Sequence, residues 1–363
     1  MGTGRVSVPA TPTFGQALRF WLKLGFVSFG GPAGQIAIMH RELVDRFRWI
    51  SERRFLHALN YCMMLPGPEA QQLATYIGWL MHGTRGGVAA GALFVLPSLA
   101  ILIALSWLYV EYGDVPAIAG AFYGIKPAVT AIVVFAAYRL GSRTLTNIWT
   151  WSIAVSALVA VAVMRLPFPL VIALAGVIGF IGGVLDPAKF TLRGGHATDA
   201  TSFGPAVIDD DTPTPTHAVF RRARFARVLI VCLVLWGGAI AALVASFGSD
   251  SVLAKMAGFF TQAALLTFGG AYAVLPYVFQ GAVEQHHWVT AGQMIDGLAL
   301  GESTPGPLIM VVAFVGFVGG WTHAALGPGS RFLAGAAAAA TAPETNSESL
   351  PRTACVQPPT KPT

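Results

Sequence analysis

The chain has 363 residues, 55% of them hydrophobic and only 11% charged, with a mean hydropathy of +0.63. These values exclude an ordinary soluble protein and place the chain in a bilayer. A formal charge of +6 would suit nucleic acid only on a soluble basic face; here the arginines sit between apolar runs, where they report on topology. Cys62, Cys232 and Cys355 are too few and too scattered for a disulfide framework or a zinc site, so neither a metal nor a cofactor is expected.

The N-terminus is short, polar and proline-bearing and lacks the apolar core of a cleavable signal. Phe29-Gly30-Gly31 then interrupts an apolar stretch, residues 40–54 carry Arg41, Arg46, Arg48, Arg53 and Arg54, and Pro66-Gly67-Pro68 interrupts a second stretch. Five runs follow, at 88–110, 116–138, 148–164, 167–185 and 228–247, with Lys126 as their only acidic or basic residue. Each is long enough, or nearly so, to cross roughly 30 Å of hydrocarbon at about 1.5 Å per helical residue. Between the fourth and fifth, residues 186–226 turn to Gly, Thr, Pro and Asp and read as a solvated cytoplasmic linker, ending in Arg221, Arg222, Arg224 and Arg227.

The motifs return at a fixed offset of 239 residues: Phe268-Gly269-Gly270 repeats Phe29-Gly30-Gly31, Trp288-Val289-Thr290 repeats Trp49-Ile50-Ser51, and Pro305-Gly306-Pro307 repeats Pro66-Gly67-Pro68. Three matches in register indicate duplication. The repeated loop at 279–293 has no Lys or Arg, so the positive-inside rule predicts that the copies face opposite ways, as in inverted-repeat transporters. If the Gly-Gly and Pro-Gly-Pro stretches dip in and return, five crossings separate the copies. Arg5, Arg19, the arginine loop, Arg85, Arg139, Arg143, Lys189 and Arg221 to Arg227 then fall inside, Glu111, Asp114, Asp250 and Glu284 fall outside, and only Arg165 and Lys255 disagree. The expected fold is therefore all-α and membrane-integral, an inverted repeat with broken or re-entrant helices. Its divisions are a first domain at 1–185, the linker at 186–226, a second, truncated domain at 227–322 and an atypical polar tail at 323–363.

Helix breaks expose N–H groups that must be satisfied in lipid, and the positive end of a half-helix suits an anion. Matched breaks in two halves point to a transport site. The candidate binding residues are Ser28, Gly30, Gly31, Gln35, Pro66, Gly67, Pro68, Gln71, Gln72, Thr267, Gly269, Gly270, Ser303, Thr304 and Gly306. The competing reading for the hydroxyls and amides is a bond to their own helix backbone. Lys126, near the middle of its run and next to Pro127, reaches roughly 6 Å and cannot snorkel across about 15 Å to the surface, so it faces protein, water or ligand. It is read either as an anion ligand or as a structural partner of Glu69 or Glu302. Those two carboxylates, which are not repeat partners, could carry a proton or balance charge. His286-His287 reads as surface histidines, because adjacent residues cannot share a helical face around a metal.

Phe29-Gly30-Gly31-Pro32-Ala33-Gly34-Gln35, the arginine loop with Trp49, Leu65 to Gln72 and Gly124-Ile125-Lys126-Pro127-Ala128 resemble the chromate ion transporter (CHR) family. Phe268 to Gly270 and Glu302 to Pro307 resemble that family's second domain, so the resemblance covers roughly 14–322. It implies a multi-pass inner-membrane protein with oppositely oriented halves that exports chromate and confers resistance, with sulfate as the related anion. Potential or proton motive force would drive it, and a homodimer is possible. A shortened second domain leaves an inactive or regulatory chain as an alternative. An enzyme acting on lipid phosphates would use Lys126 and the arginines as clamps, but no nucleophile or metal constellation stands near them.

Overall fold

Helices start and stop where the sequence supplies caps and breakers. The computed structural model describes residues 9–29, 31–185, 204–213, 215–267 and 271–344. Gly30, Phe268, Gly269, Gly270, Arg5, Lys189 and Cys355 lie outside the described residues. Thr13 caps α1 (Phe14–Val27) through a reciprocal bond with Gln16. The first copy continues with α2 (Gly31–His40), a π turn at Arg41–Arg46, α3 (Glu52–Met63) and α4 (Glu69–Tyr112). Next come α5 (Pro116–Thr144), α6 (Ile148–Ala162), α7 (Phe168–Leu185) and α8 (Arg222–Phe247). The second copy comprises α9 (Val252–Leu265), a 3-10 turn at Ala271–Ala273, α10 (Leu275–Phe279), a π turn at Gln280–Gln285, α11 (Ala291–Ser303), a 3-10 turn at Leu308–Met310, α12 (Val311–Thr322) and α13 (Arg331–Glu344). Among the described residues the sole β pairing is an isolated bridge between Ile50 and Ile208.

The 239-residue offset extends into backbone detail. Both copies have a π turn, at 41–46 and 280–285, closed by a residue with positive φ, Arg48 at 53° and His287 at 52°. The Trp49 N–H donates to Leu43 O and the Trp288 N–H to Ala282 O, both at 2.8 Å. Each tryptophan is buried, and the following Ser51 or Thr290 caps the next helix by accepting from the Arg54 or Gln293 N–H. The recurring Trp motif is thus an anchor followed by a cap.

Helix α4 is a hairpin. The chain reverses at His82 and Gly83, whose φ/ψ of 63° and −152° suit glycine, and the two arms lie so close that a Cβ on Gly86 would stand 2.2 Å from Gly78 O. Helices α12 and α13 form the matching hairpin, with a Cβ on Gly320 only 2.6 Å from Ala334 O. The alanine run placed in a polar tail at sequence level is therefore the second arm of a close-packed helix pair, with Ala334, Ala338 and Ala339 buried.

The hairpins point in opposite directions. His82, at the α4 turn, bonds Pro12 O at 3.0 Å, and Trp79 O accepts from the His217 ring at 2.9 Å, so N-terminus, turn and linker share one end. The outgoing arm of α4 runs about 1.5 Å per residue to the other end, where Trp107 meets Phe332 at 6.3 Å, beside the α12–α13 turn. Among the described residues five helices, the second arm of α4 and α5 to α8, separate the copies. Helices α6 and α8 bury no residue, and large apolar side chains such as Leu158, Phe180 and Val234 point outward, as lipid-facing helices require.

The linker is not uniformly solvated. Val207 and Ile208 donate to Arg48 O and Trp49 O at 2.9 and 3.0 Å, and Ser51 N–H donates to Ile208 O at 3.0 Å. Ser51 Oγ donates to Asp210 Oδ1 at 2.7 Å, and Arg54 donates to the carbonyls of Asp210 and Thr212. Loop carbonyls and a short acid therefore answer the arginine loop of the first copy, and the helix that follows begins at Arg222, inside the region assigned to the linker.

Candidate functional site

Each Pro-Gly-Pro segment bonds the opposite copy, along a seam between the copies. Each glycine has a φ that only glycine adopts readily, 120° at Gly67 and 111° at Gly306. Each also reaches across. The Gly67 N–H donates to Thr267 O at 2.7 Å, and the Gly306 N–H donates to Ser28 O at 2.9 Å. Since 67 and 306 correspond, as do 28 and 267, this is one interaction made twice in exchange. Gly31 joins the seam, because a Cβ on it would stand 3.4 Å from the Tyr272 hydroxyl, which donates to Glu302 Oε1 at 2.7 Å.

Pro68 opens α4, and Pro307 opens the turn leading into α12. The first-turn N–H groups of α4 have no intrahelical acceptor and carry the positive end of the helix dipole, whereas the turn before α12 takes up the Met310 and Val311 N–H groups on Pro307 O and Leu308 O. The side chains named from sequence serve the seam more than they face an open site. The hydroxyls of Ser28, Thr267, Ser303 and Thr304 donate to their own helices at Leu24 O, Ala263 O, Leu300 O and Gly301 O. Gln35 Nε2 donates to Ser28 O and Gly306 O, and Gln72 Nε2 donates to Pro66 O at 2.5 Å. Gln71 and Glu69 are buried in the first turn of α4, and Glu302 is buried at the end of α11. Ser98, not singled out from sequence, is buried with an unpartnered hydroxyl and abuts Gly306, where a Cβ would stand 2.5 Å from Ser98 Oγ.

Lys126 lies elsewhere. Its ammonium pairs with Asp296 at 2.9 Å, and Asp296 also accepts from the Tyr109 hydroxyl at 2.8 Å, so its partner is neither Glu69 nor Glu302. Asp296 was missed because its repeat counterpart is His57, and only the folded contact between α5 and α11 brings it to Lys126. His286 stacks on Trp288 at 4.3 Å; burial and then the Lys255 charge push its pKa down. Among the described residues no cluster of three His, Cys, Asp or Glu stands at metal-holding distance.

A duplicated, inverted helical membrane architecture whose helices break and interlock between the copies is that of a transporter. Residues 15–180 and 254–343 match the family model described as Chromate transporter. The chain belongs to the chromate transporter family. It is 36% identical over 317 residues to the chromate transport protein of Pseudomonas aeruginosa, covering 86% of this chain and 68% of that one. It is 30% identical to a probable chromate transport protein of Synechococcus elongatus, over 84% of this chain and 68% of the relative. Identity to the chromate transport protein of Cupriavidus metallidurans is 28%, over 91% and 74%. No solved structure matches. The second matched stretch reaches residue 343 and takes in nearly all of α13.

Proposed function

We propose that the chain exports chromate, a divalent tetrahedral oxyanion, across the cell inner membrane by rocking of one copy against the other around the seam, and so confers chromate resistance. The observation that carries this reading is the exchanged pair of bonds, Gly67 to Thr267 and Gly306 to Ser28, by which the Pro-Gly-Pro break of each copy rests on the other copy, as matched breaks of an inverted repeat do around a transport site. Chromate itself is taken from the relatives named as chromate transport proteins. The binding groups at the seam are the first-turn amides of α2 and α4, with Gln71 and Ser98 as side-chain donors, and Lys126, away from the seam, is a separate anion contact. Gln35, Gln72, Ser28, Thr267, Ser303 and Thr304 hold the frame.

Moving a dianion out of a negative interior releases about 4.6 kcal/mol per 100 mV, at about 2.3 for each charge. A buried carboxylate at Glu69 or Glu302 repels the dianion when ionised and tolerates it when protonated, which ties anion occupancy to proton occupancy. Sulfate has similar size and charge and is the second reading. Helix α13 completes the second hairpin, which favours an active transporter over an inert fragment.

The test is uptake of labelled chromate into everted vesicles containing the 363-residue chain. Potential-dependent or pH-gradient-dependent uptake is expected. Uptake equal to that of vesicles without the protein rejects transport, and uptake indifferent to both gradients rejects the driving force. Excess sulfate that abolishes chromate uptake, with faster uptake of sulfate itself, reassigns the substrate.

A further inference from the structure

One face of the outgoing arm of α4 is polar and buried. Ser98, Ser106 and Tyr109 recur at spacings of eight and three residues, which places them on one stripe of a helix. Ser98 is 1% exposed and Ser106 is fully buried, and neither hydroxyl has a partner. Buried hydroxyls ordinarily donate to something, so these two are donors in reserve. The stripe begins against Gly306 in the seam and ends at Tyr109, which bonds Asp296, which pairs with Lys126.

The ion pair is lopsided. The Asp296 side chain is 8% exposed and that of Lys126 is 37% exposed. Lys126 lies ten residues into α5, where an ammonium open to hydrocarbon is costly unless an opposite charge answers it, and Asp296 is that charge. The residue corresponding to Asp296 in the first copy is His57, which is exposed, so the duplicated architecture forms without a carboxylate at this position.

We propose that Asp296 is a resident counter-ion: it occupies the Lys126 ammonium while no substrate is there, and the travelling dianion displaces it, arriving along the Ser98–Ser106 stripe. A carboxylate and an oxyanion compete for the same N–H donors, so Asp296 sets how tightly the anion is held and keeps a lysine in mid-membrane neutralised between cycles. This rests on the reading of the chain as an oxyanion transporter and adds the residue that competes with the substrate.

Equilibrium binding of labelled chromate and of labelled sulfate to the purified chain tests it. Asp296→Asn removes the competitor and is expected to tighten binding roughly tenfold, whereas Lys126→Gln weakens it roughly tenfold. The double variant should bind as weakly as Lys126→Gln alone, Asp296→Glu should stay near wild type, and Ser106→Ala should weaken binding about fivefold. A structural brace predicts no tightening in Asp296→Asn, and that result overturns the proposal while wild-type binding leaves the transport reading standing. Absence of binding to wild type overturns both. Should Asp296→Asn fail to fold, an anion-induced infrared difference spectrum of the wild-type protein decides: a shifted carboxylate stretch, altered in Asp296→Glu, is expected, and its absence rejects displacement.

Discussion

The hairpins of the two copies pack alike but are built differently. In α4 the arms are joined by His82 and Gly83 alone and carry glycine on both sides of the contact, Gly78 facing Gly86. In α12 and α13 residues 323–330 make the turn, and two glycines of α12 face alanines, Gly316 against Ala338 and Gly320 against Ala334. In lipid, helices associate through close packing of small residues rather than through hydrophobic burial. Two small-residue surfaces that let backbones touch are interchangeable, and the sequence joining them is free to change.

The strongest way to break this equivalence is to end the chain at Gly329, removing α13 and baring α12, whose residues 311–320 are all buried. No monodisperse protein is expected in size-exclusion chromatography, and a folded, transport-competent product would show that α13 is dispensable. Gly320→Leu should cost about 3 kcal/mol by overpacking, because the new side chain meets Ala334 O at 2.6 Å from its Cβ. Gly86→Leu should cost as much if the two hairpins are truly alike, with detergent melting curves giving the comparison.

The seam offers a finer test. Gly306→Ala imposes a φ of 111° on a Cβ and presses it within 2.4 Å of Ser98 Cβ, for an expected loss of about 2 kcal/mol. Adding Ser98→Gly should recover the steric part alone, seen as a partial return of the melting temperature. Gln35→Ala removes the amide that braces Ser28 O and Gly306 O and should cost about 1 kcal/mol. The smallest effects fall at the caps. Thr290→Ala should cost about 1 kcal/mol, and Ser51→Ala somewhat more, since Ser51 Oγ also donates to Asp210. Faster proteolysis of the linker in Ser51→Ala, but not in Thr290→Ala, is the expected signature.

Much of this was legible in the residues. The 239-residue repeat, the five intervening helices among the described residues and the breaks at Gly31, Gly67 and Gly306 follow from helix-breaking chemistry and charge, both local properties. Features that depend on which surfaces meet were not. Lys126 announced itself as a buried charge, but its partner Asp296 sits 170 residues away in an amphipathic helix with nothing unusual around it. The alanine run of α13 looked like low complexity because small side chains signal close packing only once the opposing helix is known. Hydroxyls at Ser28 and Thr267 stood as candidate ligands beside the competing reading of a bond to their own helix, and the fold shows the second, with carbonyl acceptors one turn earlier. The π turns at 41–46 and 280–285 left only a shared tryptophan as their trace.

The bonds traded between Gly67 and Thr267, and between Gly306 and Ser28, mean that neither half is self-sufficient: each leaves open a backbone group that the other must close. A polypeptide containing one such half would have to recruit a second, identical or merely related, before it could seal within a bilayer. Joining both in one chain replaces that search with an encounter at high effective concentration, and it frees the two halves to differ, one carrying the arginines and the other Asp296.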